Sequence, residues 1–478
     1  MDAFAASVRT ALLRHGYTLD RVIHLVGEDA FLALGRGRTA PIRRALAACA
    51  PDALTDLIRL FLLGEDLPVE RARGALPLEA AAGLGLLALP DDILARPMVL
   101  VQPYPTGDGD GFVVSDFPAG RGPTPLRLPD GHVIGVGAAS VTLATLTARR
   151  AVARTLDLGA GCGIQALLAA DHSAAVTATD ISDRALKFAA LTASLSGVAF
   201  DIRRGPLFEP VTGEQFDLIV ANPPFVMSPQ PRYVYREASQ RGDDLSREVV
   251  AGAAAMLAPG GLAVMLCNWL HVAGQPWQER LASWAPADCQ MWVAQRELLT
   301  PAQYAELWLQ DSAEAEGPEY EQRYAQWLDY FEQLHAAAIG FGWVVLRRSG
   351  TAWFVAEDVA EAERLPTGEE VLAQLDDYAA MHHSAAIDIL RSTPSWAEGV
   401  ELHRSWLPAD PLSQEVYASR SWRPAERIDP VLLDLLVGHG SLDDRIDAAA
   451  GADADDLTVR ALLGVRRLLG TGMLVLAG

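Results

Sequence analysis

Two short runs carry residues whose types and spacing can do chemistry. Leu156-Asp157-Leu158-Gly159-Ala160-Gly161-Cys162-Gly163 sets three glycines at alternate positions directly after an apolar, strand-like run, and Phe216 to Phe225 ends a second such run on Asn222-Pro223-Pro224-Phe225. Glycines in that place let the backbone turn sharply with no Cβ between it and a ligand, which makes Gly159, Gly161 and Gly163 the floor of a nucleotide-type pocket at a helix N-terminus. Their two-apart spacing differs from the dinucleotide pattern G-x-G-x-x-G. Asp180 closes the next strand-like run. A carboxylate there can accept hydrogen bonds from both hydroxyls of a ribose.

Asp157, at the end of the first run, falls near the cationic amino-acid end of such a ligand. A ribose, an ammonium and no phosphate together describe S-adenosylmethionine. In Asn222-Pro223-Pro224-Phe225 the consecutive prolines fix φ and force Pro223 to be extended, so the Asn222 side chain and the Pro223 carbonyl can converge as two acceptors. Two acceptors suit the hydrogens of a planar NH₂ group. Such a nitrogen is a poor nucleophile, and holding both N–H bonds aims its lone pair at the sulfonium methyl while stabilising the charge that develops on it. Phe225 offers a flat face for the acceptor. Tyr233, Tyr235 and Arg236 follow and either line the acceptor's entrance or anchor the loop.

The elements around these runs fit an α/β fold. From Arg154 to about Glu297 apolar β-like runs alternate with helical patterns, the signal of a parallel sheet with helices on both faces. The expected strands are Arg154 to Leu158, Ala175 to Thr179, Phe200 to Arg203, Phe216 to Ala221, Gly261 to Cys267 and Cys289 to Ala294. The clearest helices are Asp183 to Ser196 and Ser246 to Leu257, the latter ended by Pro259-Gly260-Gly261. A helical insertion over 300–338, rich in aromatic and acidic residues, interrupts this before Phe341 to Arg347 and Ala352 to Glu357 return to strand character.

On these motifs the chain resembles the class I S-adenosylmethionine-dependent methyltransferases, in the small-domain group that includes HemK-like release-factor glutamine methyltransferases and rRNA guanine or adenine N-methyltransferases. The resemblance covers about residues 130 to 300. It implies a Rossmann-like sheet, S-adenosylmethionine as cofactor, contacts to it from Gly159 to Gly163, Asp180 and Asn222, and an acceptor nitrogen presented by Asn222 to Phe225. One departure stands out: Gly205-Pro206-Leu207-Phe208-Glu209 places proline where the group often has an acidic residue. Leu207 and Phe208 can still flank the adenine, without a side-chain hydrogen bond to its amino group. Phe225 in place of tyrosine leans towards the nucleic-acid members, and the acidic charge leans back.

Outside the core, residues 1–95 read as short amphipathic helices with a winged-helix-like end over Leu67 to Leu89, and residues 96–135 as a β-hairpin, Met98 to Tyr104 against Gly111 to Asp116, with a linker. The methyltransferase domain is expected over 136–358. Residues 359–478 read as a helical domain with a winged-helix-like end, broken at Pro394, Pro408, Pro411, Pro424 and Pro430. Arg36, Arg38, Arg43 and Arg44 make the amino-terminal part locally basic. A solvated helix face accounts for them, and so does an RNA-touching surface.

At 478 residues the chain is long enough for two to four domains, and its longest apolar runs fall short of the ~18 residues of a membrane span. Met1-Asp2-Ala3-Phe4 lacks the basic start of an export signal, which makes the cytoplasm the default. Cys49, Cys162, Cys267 and Cys289 are scattered and frame neither a zinc site nor disulfides. His382 and His383, adjacent on a helix, diverge too far to share a metal. A net charge of −22 weighs against sequence-independent nucleic-acid binding. The reading is therefore an N-methyltransferase whose acceptor is an RNA base, guanine N2 or adenine N6, with a protein glutamine or a small metabolite as the alternative. A cofactor-binding module without turnover and a nicotinamide oxidoreductase are the readings from other classes. Oligomeric state is not written in the sequence.

Overall fold

The computed structural model describes residues 2–107, 109–126, 128–129, 131–229, 240–311, 318–407, 410–423, 425–449 and 454–477. In chain order, helices α1 (Asp2–Arg14), α2 (Leu19–Val26), α3 (Glu28–Gly35), α4 (Ala40–Ala47) and α5 (Ala53–Ile58) come first. An Asp52/Thr55 capping box starts α5, and Gly64, left-handed at φ +69°, stops its wide last turn. Strand β1 (Leu67–Pro68), helices α6 (Val69–Ala75) and α7 (Leu78–Gly83), and strands β2 (Leu87–Ala88) and β3 (Leu94–Pro97) follow, the three strands pairing in the order β1-β3-β2. The hairpin β4 (Leu100–Thr106) and β5 (Gly109–Ser115) pairs antiparallel where the alternation placed it.

Next come α8 (Ala138–Leu146), β6 (Val152–Leu158), α9 (Ile164–Ala170), β7 (Ser173–Asp180), α10 (Asp183–Ser196), β8 (Asp201–Arg204), β9 (Phe216–Ala221), α11 (Asp244–Met256), β10 (Leu257–Val272) and α12 (Trp277–Ala282). After these run β11 (Cys289–Leu299), the helical pair α13 (Pro301–Asp311) and α14 (Pro318–Gln333), β12 (Ala336–Arg348) and β13 (Trp353–Asp358). The last part holds α15 (Gly368–His383), α16 (Ala386–Arg391), β14 (Thr393–Trp396), β15 (Glu401–Leu407), β16 (Asp410–Ser419), β17 (Glu426–Ile428), α17 (Pro430–Val437), α18 (Leu442–Ala449), α19 (Ala454–Gly470) and β18 (Leu474–Ala477).

These elements form two compact units, the first of residues 1–144, 149–284 and 297–348, the second of 145–148, 285–296 and 349–478. In the first, six strands lie in the order β12-β10-β9-β6-β7-β8, parallel from β10 to β8, with β12 antiparallel on β10. The chain steps outward one way from β6 through β7 to β8 and the other way through β9 to β10. The order therefore reverses at β6, and in a parallel α/β sheet such a reversal opens a crevice beyond the carboxyl ends of the strands. Helix α11 stops at Met256, and Pro259-Gly260 lies in the irregular start of β10, where the pairing with β9 jumps from Leu257 to Leu262.

Packing in the first unit is continuous across residue 95. One continuous apolar core joins Val8 and Leu12 of α1, Phe61 beyond α5, Val101, Phe112 and Val114 of the hairpin, and Leu167, Phe188 and Leu191 of α9 and α10. Buried Tyr17 donates its hydroxyl to the Val101 carbonyl at 2.8 Å. Residue 95 thus separates no two cores, because the amphipathic helices bury their apolar faces against the methyltransferase-like part.

In the second unit β11 and β13 pair parallel, Gln290 opposite Trp353. Arg423, buried, pairs with Glu357, which also accepts from Trp292 Nε1 at 2.9 Å, and Gln374 Oε1 accepts from Arg423 at 2.7 Å. Residues 393–428, expected to be helical, instead form β14 against β18 and the antiparallel set β15-β16-β17. The prolines were the dominant signal there, and the strands between them alternate too few apolar residues to announce a buried face. Helices α17, α18 and α19 follow and share one apolar cluster, with Leu432, Ile446 and Val465 buried in it, and β18 pairs antiparallel with β14. Among the described residues no helix is long and apolar enough to cross a membrane.

Candidate active site

Register brings the motifs together. Leu158, the last residue of β6, lies opposite Thr179 of β7 on one side and Ala221 of β9 on the other. Gly159, Asp180 and Asn222 therefore leave three adjacent strands at the same end, at the point where strand order reverses. The turn is fastened by its own backbone: Ala160 N–H donates to Thr179 O at 2.9 Å, and Gly161 N–H to Asp180 Oδ2 at 3.0 Å. Asp180 Oδ1 accepts from Ser182 N–H at 2.8 Å, and burial raises its pKa above the ordinary carboxylate value against these bonds. Each oxygen keeps a lone pair for a hydroxyl.

The three glycines divide by role. Gly159, Gly161 and Gly163 all have left-handed φ, +70°, +55° and +77°. A Cβ on Gly159 or Gly161 would meet nothing within 4 Å, so this face of the turn is open to a ligand pressed against bare backbone. At Gly163 a Cβ would lie 3.1 Å from Ala189 of α10. Gly163 caps α9 and lets α10 pack close, so its place is structural where a cofactor contact was expected. Thr192 of α10 ties the turn to the hairpin, donating to Cys162 O at 2.8 Å and accepting from Val114 N–H at 3.0 Å.

Asp157 also departs from expectation. Its side chain is 2% exposed and accepts the Ala166 N–H at 2.9 Å, bracing the first turns of α9 from beneath. Burial, with nearby Asp180 adding to it, pushes its pKa up to about 7. So enclosed, it has no face to offer a ligand's ammonium. Of the expected adenine neighbours, Leu207 is half-buried at the left-handed φ of +44°, and the Phe208 ring lies over Gly252 of α11, where a Cβ would collide with it. Phe208 is thus engaged with a helix. Ile181, directly after Asp180, is 53% exposed. An exposed aliphatic residue beside the ribose-type carboxylate is the apolar cover that sequence reasoning passed over; the signal was an isoleucine between two polar turn residues.

Asn222 is half-buried, and among the described residues its side-chain amide has no hydrogen-bond partner. Pro223 is buried, while Pro224 and Phe225 are half-buried. The loop is bolted from two sides. Asn268 Nδ2, on β10, donates to Phe225 O at 3.4 Å and to the Tyr304 hydroxyl at 3.0 Å, and that hydroxyl also accepts Met227 N–H at 3.0 Å. Tyr304, on α13, is fully buried, its pKa raised by burial, within an apolar cluster of Val226, Met227, Trp327 and Phe331 against which Phe225 packs. The helical insertion thus forms the wall behind the Asn-Pro-Pro-Phe loop. Asn268 was missed by sequence reasoning, although an amide inside the apolar run Leu262 to Leu270 is itself a signal, since a buried polar side chain needs a reason. Tyr233, Tyr235 and Arg236 lie outside the described residues.

A doubly flanked β6, a glycine turn at its end, a carboxylate after β7 and Asn-Pro-Pro-Phe after β9 define a class I methyltransferase domain. Residues 135–273 match the family model of the methyltransferase small domain. Residues 14–97 match a second model, described as a domain of unknown function (DUF7059). The release factor glutamine methyltransferase of Xylella fastidiosa is 38% identical over 143 residues, 25% of this chain and 52% of that protein. The ribosomal RNA small subunit methyltransferase C of Alcanivorax borkumensis is 30% identical over 115 residues, 24% of this chain and 32% of its own. The ribosomal protein uL3 glutamine methyltransferase of Bradyrhizobium diazoefficiens is 41% identical over 104 residues, 21% and 32%. The chain spans about half the length of the first of these relatives and about a third of the other two.

Proposed function

We propose that this chain is an S-adenosylmethionine-dependent N-methyltransferase whose acceptor is a planar NH₂ nitrogen, the exocyclic amine of an RNA base (guanine N2 or adenine N6), acting in the cytoplasm. The observation that carries the reading is the pairing of an open-faced glycine turn with an Asn222 amide that has no hydrogen-bond partner among the described residues, on neighbouring strand ends. The donor set fits the cofactor: bare backbone at Gly159 and Gly161, a carboxylate at Asp180 for the ribose, and Ile181 for the adenine face. S-adenosylmethionine would supply an electrophilic methyl on a sulfonium.

The chain's own part is to hold and orient. Asn222 Oδ1 and the Pro223 carbonyl accept the two N–H bonds of the acceptor, and with both hydrogens engaged the nitrogen lone pair is presented along one direction. As positive charge grows on nitrogen, both acceptors bind more strongly, which lowers the barrier without a strong base. Asn268 and Tyr304 keep the loop from shifting. A side-chain amide of a protein glutamine offers the same NH₂ geometry. That second reading is favoured by the helical insertion behind the loop, whose residues 300–338 hold eight Asp and Glu against one Arg.

Incubation of the chain with radiolabelled S-adenosylmethionine and a cell extract, split into RNase-treated and untreated halves, tests the reading. Label lost on RNase treatment is the expected result. Label that survives RNase in a protein band moves the acceptor to glutamine, and no transfer to either overturns the enzyme.

A further inference from the structure

The first fifty residues hold seven Arg against four Asp and Glu, a balance of +3, in a chain whose 39 Lys and Arg face 61 Asp and Glu. That excess is concentrated in one turn and the helix after it, Gly35-Arg36-Gly37-Arg38 leading into α4. Arg36, Arg38 and Arg44 are exposed, and among the described residues they make no ion pair or hydrogen bond through their side chains. Arg43 is held by Glu65 at 3.2 Å with its own side chain still 54% exposed. Beneath them buried Arg121 donates to Leu34 O at 3.4 Å and Leu62 O at 3.3 Å. Its pKa is lowered first by burial and then by Arg43, which puts these two like charges within reach of one another.

The turn is bare as well as charged. Gly37 is left-handed at φ +76°, and a Cβ on Gly35 or Gly37 would meet nothing within 4 Å, so a ligand can approach the backbone between the flanking guanidinium groups. Like charges assembled without counter-charges repel in the free protein, and a polyanion relieves that repulsion. The distant negative charge of the chain does not cancel the patch, because at physiological salt fields decay over about 8 Å. Guanidinium forks match phosphate oxygens two at a time.

From these observations we infer that the Arg36–Arg44 turn of the amino-terminal helices is an RNA-backbone contact surface, which carries the substrate while the Asn222 loop takes the base. The choice of RNA rests on the proposed acceptor, but the readout does not, because binding is measured without methyl transfer. The full chain is titrated into a fluorescein-labelled RNA stem-loop and followed by anisotropy from about 50 to about 200 mM KCl. The variant R36Q/R38Q/R44Q is expected to weaken binding at least about tenfold and to flatten the log–log salt slope by about 2 to 3, three charges at roughly 0.7 each on single strand and roughly 0.9 each on duplex. R36K/R38K/R44K should restore most of both, since a phosphate accepts either cation. S-adenosylhomocysteine binding and the thermal midpoint are expected to match the parent in both variants, as the three side chains touch no core.

Unchanged RNA affinity in the Gln variant overturns the inference, and so does competition by polyglutamate as effective as by unlabelled RNA, which would make the partner an acidic protein. If RNA binding is lost as expected but S-adenosylhomocysteine does not bind the parent chain, the enzyme reading fails and the surface stands. Cofactor binding without any RNA binding gives the reverse.

Discussion

Replacing Asp157 by Asn tests whether this carboxyl is a buried brace or a counter-charge for a ligand. In the fold its pKa is about 7, raised first by burial. In the unfolded chain an aspartate loses its proton near pH 3.9. A folded pKa above the unfolded one means that the native state holds a proton the unfolded state has released. The stability this group contributes therefore falls as pH climbs from about 4 to about 7, by about 1.4 kcal/mol per pH unit and about 4 kcal/mol in all, and is constant above about pH 7. Asn keeps an oxygen for the Ala166 N–H but never ionises. Chemical unfolding of the two proteins, followed side by side by circular dichroism from about pH 5 to about pH 9, should show Asp157→Asn gaining on the parent by about 3 kcal/mol up to pH 7 and no further. A difference that stays flat across this range refutes the argument. It would mean that the carboxyl is already ionised in the fold at pH 5, and would return to Asp157 the role of balancing a cofactor's ammonium.

Asn222→Ala removes an acceptor that acts on charge developing in the transition state, so methyl transfer should fall about 100- to 1000-fold. S-adenosylhomocysteine affinity, by calorimetry, should change only about two- to tenfold, as for one net hydrogen bond; a parallel loss of both would make Asn222 a cofactor residue alone. Gly159→Ala and Gly163→Ala both strain a left-handed residue by about 1–2 kcal/mol. The first should lose cofactor affinity at modest cost in thermal midpoint. The second, whose Cβ meets Ala189, should lose the larger share in midpoint, and the opposite ranking would contradict the division of roles. Tyr304→Phe leaves Met227 N–H and Asn268 Nδ2 without their shared acceptor and should cost about 1–3 kcal/mol of stability. Transfer should slow in that variant while S-adenosylhomocysteine affinity holds, since the bond fastens the acceptor loop and not the glycine turn.

Strands such as β6, β7 and β9 were legible because each holds an apolar run bounded by a turn, and α10 because Ser182 and Gly197 stand at its ends as caps. Motif order alone put the glycine turn, Asp180 and Asn222 on the ends of three strands, β6, β7 and β9. Less legible were the contacts made across the chain. Phe208 was expected beside an adenine, but its ring rests on Gly252, 44 residues later, and nothing local marks that glycine as a seat for an aromatic ring. The strands between 393 and 428 escaped because their pairing, and not their hydrophobic rhythm, holds them in place.

By itself the sequence determined the chemistry at hand: which residues are glycine, carboxylate, amide and proline, and that each closes a parallel strand. Tertiary structure alone decided which of them face an opening. Asp157 and Asp180 are the same residue type near the carboxyl ends of neighbouring strands, but Asp157 lies level with Ala178, two residues short of Asp180, and one is sealed under α9 while the other stands at the turn. Burial depends on what packs above a residue, and for Asp157 that cover comes from a helix the local pattern around it does not describe.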